Sequence, residues 1–127
     1  TTMKAKILIV DDSSLARRMT RSVLEEMGHT VEEATEGTQA LERYFLGRHD
    51  LVVLDMVMTG MYGLEVLAKM RELNPDVKVI VATADIQQST QDQVKAAGAT
   101  AFINKPINRQ ALAGLVKQIL QGDFVWN

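Results

Sequence analysis

Apolar and polar positions alternate along this chain in blocks of two kinds. Residues 6–10, Lys-Ile-Leu-Ile-Val, form a short β-branched apolar run that stops at an Asp-Asp pair. The period then changes. Leu15, Met19, Val23, Leu24 and Met27 recur at helical spacing, which predicts a helix capped by Ser13 or Ser14 and ended at Gly28. Residues 30–34 read as a weaker strand. Residues 37–47 read as a helix with Ala40, Leu41, Tyr44 and Phe45 inward. Residues 51–54 are the clearest buried strand and run straight into Asp55. A loop with Gly60 and Gly63 follows, then a helix over about 64–73 stopped by Asn74-Pro75. Another apolar strand, 77–82, ends at Thr83. A polar helix over about 88–97 stops at Gly98. A short strand, 101–103, leads into Asn104-Lys105-Pro106. The last helix, 108–121, buries Leu112, Leu115, Val116, Ile119 and Leu120.

Five strand–helix alternations imply an α/β fold, a doubly wound parallel sheet with helices on both faces and right-handed crossovers. The runs before Asp55 and Thr83 are apolar at nearly every position, as strands covered on both faces should be.

Composition narrows the function classes. With 127 residues the chain is one domain, 1–127. The apolar fraction of 46% supports a packed core. Net charge is −2, and no Lys/Arg block tracks a nucleic-acid backbone or forms a basic membrane-surface helix. No apolar run approaches the length of a membrane span. No cysteine is present, so there is no disulfide framework, thiolate metal site or cysteine nucleophile, in keeping with a cytoplasmic location. Thr1 and Thr2, ahead of Met3, are set aside as additions.

In an open parallel sheet, ligands bind beyond the carboxyl ends of the strands. The first strand ends in Asp11-Asp12, the third in Asp55, the fourth in Thr83, and the fifth leads into Lys105. The second offers only Thr35 and Glu36. Three carboxylates close together repel, and a divalent cation and a lysine would offset them. Mg²⁺ suits such a site, because it takes oxygen ligands and keeps positions for water or phosphate oxygens. A carboxylate can act as a nucleophile towards phosphorus. A cation, a lysine ammonium and a threonine hydroxyl then match the three equatorial oxygens of a transferring phosphoryl group.

These residues carry a family resemblance. Ile-Leu-Ile-Val-Asp-Asp-Ser at 7–13, Leu-Asp-Met-Val-Met at 54–58 with Gly63, Ala-Thr-Ala at 82–84 and Asn-Lys-Pro at 104–106 each stand at a predicted strand end. Over about 4–121 the chain resembles the receiver domain of bacterial response regulators, most of all the stand-alone chemotaxis type. The resemblance implies a flavodoxin-like (βα)5 fold with strand order 2-1-3-4-5. It implies that Asp55 accepts a phosphoryl group from a histidine kinase. Asp12 would bind Mg²⁺ directly and Asp11 mainly through water, with Asp55 and the backbone carbonyl of Val57 completing the protein ligands. Lys105 would pair with Asp55 and then with the phosphate, Thr83 would move towards it, and Phe102 occupies the switch-aromatic position. The helix-four, strand-five, helix-five face would then bind a downstream target or phosphatase. Such a chain acts as a switch rather than an enzyme, as a monomer or weak dimer, without direct nucleic-acid contact or membrane insertion. The family's usual proline after Met58 is Thr59 here, which should loosen the loop. Val57 is expected to shield the aspartyl phosphate from water.

Blander readings stand beside these. An Asp pair after a strand often serves turn and cap chemistry, and Phe102 could be simple core. His29 and His49 read as solvated and the methionines as packing. The segment Phe124-Val125-Trp126 is expected to fold back onto the sheet or last helix, with Trp126 remote from the site. Competing functions are a receiver cut from a larger regulator, an aspartate-nucleophile phosphohydrolase and a flavodoxin-like cofactor binder. The hydrolase needs a second acid two residues after its nucleophile, where this chain has Val57 or Ser14. The cofactor binder needs a phosphate-cradling loop where this chain has Asp11 and Asp12. A degenerate receiver that signals without phosphate conflicts with the intact five-residue set.

Overall fold

A computed structural model describes residues 4–58, 61–124 and 126. Five strands alternate with five helices: β1 Lys6–Val10, α1 Ser14–Glu26, β2 Thr30–Ala34, α2 Gly37–Gly47, β3 Leu51–Asp55, α3 Gly63–Leu73, β4 Val79–Thr83, α4 Gln88–Ala96, β5 Ala101–Asn104 and α5 Arg109–Gln121. All strand pairs are parallel, in the order β2-β1-β3-β4-β5. The predicted boundaries hold to within one or two residues. The largest departure is β4, which starts at Val79 because Val77 is held in a turn by the carbonyl of Asn74.

Side chains alternate between the sheet's two faces, and two core clusters result. Leu8, Val10, Val52, Leu54, Val79 and Val81 pack with α2, α3 and α4. Ile7, Ile9, Leu51, Val53, Ile80 and Ala82 pack with α1 and α5. The central strands β3 and β4 are buried at every position, which explains their unbroken apolar sequence. Helix caps follow the sequence signals. Ser13 accepts from the N–H of Ala16, Glu36 from those of Thr38 and Gln39, and Asn108 from that of Ala111.

Several side chains do not lie where the pattern puts them. Leu15, in the first turn of α1, is exposed, because that turn stands beyond the strand ends it would need to cover. On α2 the inward line runs Gly37, Ala40, Tyr44, which leaves Phe45 exposed under the guanidinium of Arg48. His29 and His49 are buried rather than solvated. His29 accepts the N–H of Ala5 at Nδ1 (3.0 Å). His49 Nε2 lies 2.7 Å from Glu32, and its ring stacks on Tyr44. Thr59 and Gly60, and so the expected looseness of that loop, lie outside the described residues. Of the aromatic segment after α5, Phe124 and Trp126 fold back, and Val125 lies outside the described residues. Trp126 packs against both core clusters at the β5 edge.

Candidate functional site

The sheet brings its charged strand ends together because parallel strands all finish on one edge. Asp11 follows β1, Asp55 closes β3, and Lys105 directly follows β5. Lys105 reaches back over 94 positions to place Nζ 2.9 Å from Asp11 Oδ2 and 3.3 Å from Asp55 Oδ2. One carboxylate oxygen from each of Asp11, Asp12 and Asp55 lies within 4.8 Å of the others. Asp11 and Asp55 are buried and Asp12 is exposed. Asp11 Oδ1 also accepts the N–H of Ser13, and the carbonyl of Asp11 accepts from Arg17.

Burial pushes the Asp55 carboxyl above its ordinary value, and the charge of Asp11 pushes the same way. Lys105 and the N–H of Val57, 3.4 Å from Oδ1, oppose it. Burial alone would lower the Lys105 ammonium. The hydrogen bond and charge of Asp11, then the charge of Asp55, outweigh that and hold it above its ordinary value. One ammonium is therefore shared by two buried carboxylates, and the surroundings still disfavour the charge on Asp55. The cluster presents oxygen donors only, with no nitrogen or sulfur among them, which fits a hard divalent ion such as Mg²⁺.

Close approach at the base of the site depends on Gly63. A Cβ there would stand 2.3 Å from the carbonyl oxygen of Asp55 and 2.9 Å from Cα of Met56. Without one, the Gly63 N–H donates to the carbonyl of Met56 at 2.8 Å and starts α3 hard against β3. Val57 lies in the bend directly after β3, with an exposed side chain.

Thr83 closes β4, and its buried hydroxyl accepts the N–H of Asp85 at 3.1 Å. Asp85 in turn accepts from Gln87 N–H and, at 2.6 Å, from the Thr90 hydroxyl in the first turn of α4. Sequence reasoning missed Asp85. Its signal was available: an acid just before a helix start, five residues from a hydroxyl. Arg17, also missed, ties the Asp11 carbonyl to Glu33 of β2. Phe102 pairs in register with Val81, and Thr83 with Asn104. Period-two alternation then sets Phe102 and Thr83 on the same sheet face. Glu36 caps α2 and stays out of the cluster.

A doubly wound sheet with an acidic triad and a lysine at its carboxyl edge defines a class, and comparison with known proteins agrees. The family model for the response regulator receiver domain matches residues 7–117, and the chain belongs to that family. It is similar to the chemotaxis protein CheY of Thermotoga maritima, 35% identical over 82% of this chain and 88% of that one. It is also similar to the sporulation initiation phosphotransferase F of Bacillus subtilis, 35% identical over 93% and 95%. The solved chemotaxis response regulator CheY4 of Vibrio cholerae superposes with a TM-score of 0.87 at 29% identity, covering 92% of this chain and 99% of that one. Receiver domains of two-component systems act as phosphoacceptor switches, bind Mg²⁺ at an acidic cluster and take their phosphoryl group from a histidine kinase. Among the described residues, no helix is long and apolar enough to cross a membrane.

Proposed function

We propose that residues 1–127 work as a single receiver unit in the cytoplasm, with Asp55 as phosphoacceptor for a histidine kinase. The observation that carries this reading is the single Lys105 ammonium shared between Asp11 and Asp55. An Asp55 oxygen attacks phosphorus. The new O–P bond forms as the P–N bond to the donor histidine breaks, and the imidazole leaves with the bonding pair. Lys105 gives up its contact with Asp55 and follows a phosphoryl oxygen, and the Thr83 hydroxyl donates to another. Asp12, Asp55 and the Val57 carbonyl would hold Mg²⁺, with Asp11 acting through water. When bound, the ion would offset the repulsion between the clustered carboxylates. Thr83 and Phe102, on one sheet face, move together and remodel the α4–β5–α5 face for a downstream protein or phosphatase.

A hydrolase reading gains no support. Its second acid would stand at position 57, and Val57 supplies none. The chain therefore acts as a switch that assists its own labelling and dephosphorylation. The test is incubation with acetyl phosphate and Mg²⁺ followed by intact mass. One base-labile phosphoryl adduct is expected, lost in Asp55→Asn. No adduct, or an adduct that survives that substitution, overturns the proposal.

A further inference from the structure

The segment after α5 occupies part of the face that the switch is meant to remodel. Gly122 turns the chain in the left-handed region (φ 78°), and the Asp123 N–H closes the turn on the carbonyl of Gln118. Phe124 then packs against the α1/α5 core. Trp126 reaches around edge strand β5 and touches both cores. Its ring centroid lies 5.8 Å from that of Phe102, tilted by 43°, and Lys95 Nζ of α4 stands 5.9 Å from the indole centroid. One side chain thus joins α4, β5 and the segment after α5. A groove of about 560 Å³ between β5 and α5, lined by Phe102, Ile103, Ala111, Gly114 and Leu115, stays open.

We propose that Trp126 is an internal latch: docked on Phe102 and Lys95, it holds the resting arrangement and covers the α4–β5 flank against partners. The inference rests on the switch reading of Phe102 given above. If Phe102 moves when Asp55 is phosphorylated, the indole loses the ring it packs on and is released. Linkage makes the effect reciprocal: whatever the latch adds to the resting state, phosphorylation must overcome. An aromatic contact of this kind corresponds to a coupling of about two- to tenfold. On this proposal the segment senses the site through Phe102.

Trp126 is the single tryptophan of the chain, so its emission reads the latch directly. The full chain is treated with acetyl phosphate and Mg²⁺, and intact mass, emission and acrylamide quenching are measured on the same sample. Labelling is expected to red-shift the emission and raise the quenching constant at least about twofold. Trp126→Ala is expected to speed labelling about two- to tenfold. Unlabelled Phe102→Ala is expected to match the quenching of the labelled chain. A chain that carries the adduct with unchanged emission and quenching overturns the latch and leaves Asp55 as phosphoacceptor. A missing adduct instead sinks the phosphoacceptor reading. In that case Phe102→Ala still decides docking, because unchanged quenching there overturns the latch by itself.

Discussion

At the carboxyl ends of the strands, Asp11, Asp55 and Lys105 share one small volume. At the amino ends, His29, His49 and Asp50 each sit with a separate partner: the N–H of Ala5, the carboxylate of Glu32 and the N–H of Lys6. Both regions place polar groups among apolar strands, but they meet the cost of burial differently. At the amino edge, burial lowers the affinity of both histidines for a proton. At the carboxyl edge like-charged groups crowd together, and burial with the charge of Asp11 holds Asp55 against its own charge. The first arrangement is paired one to one, except that His49 Nδ1 is buried without a hydrogen-bond partner. The second leaves Asp55 held against its own charge, and an added cation would complete it. That incompleteness separates a site from a structural polar cluster.

The largest effect should come from filling the space that lets α3 approach Asp55. In Gly63→Ala the new methyl meets backbone atoms, which cannot swing aside. We expect a loss of about 3 kcal/mol in urea unfolding, with slower acetyl phosphate labelling because the Asp55 carbonyl is displaced. An unchanged midpoint would show that the close approach is not needed. Next comes Asp55→Asn. If the carboxyl edge is destabilised by its own charge, the neutral amide should raise stability by about 1 kcal/mol while abolishing labelling. Lys105 keeps Asp11 as a partner in that variant. A destabilised Asp55→Asn would make the two edges alike and remove the contrast.

The contrast was only half legible in the sequence. Strand ends could be found because the unbroken apolar run at 51–54 stops at a charge, and parallel topology then gathers Asp11, Asp55 and Lys105 without further information. The order of strands came from family resemblance and not from the periodicity. The amino edge was illegible. His29 is held by Ala5, 24 positions away, and His49 by Glu32, 17 positions away, and neither pairing leaves a local pattern. A histidine next to a glycine or an aspartate reads as a solvated turn until the register of β1 against β2 is known. Phe45 failed for a similar reason. It lies one residue from the inward line of α2, and helical spacing alone does not choose between Tyr44 and its neighbour.

The smallest expected effect tests through pH how the amino edge holds charge. Burial first, and for His29 its use of Nδ1 as an acceptor, disfavours protonation in the folded chain, so each folded-state value lies below the ordinary 6.5. Above pH 6.5 both states are neutral and stability is at its full level. Below it the unfolded chain takes up protons that the folded chain refuses. Stability therefore falls as pH drops from 6.5 towards the folded values, by at most about 1.4 kcal/mol per pH unit for each histidine. Asp50 opposes the shift at His29, and Glu32 and Asp50 oppose it at His49. Between pH 7.5 and 5.5, urea unfolding should show a loss of stability, and His29→Gln and His49→Gln should each flatten the profile. A wild-type profile flat across that range would mean that the amino edge accepts protons as readily as the unfolded chain does. The two ends of the sheet could then not be distinguished by how they hold charge.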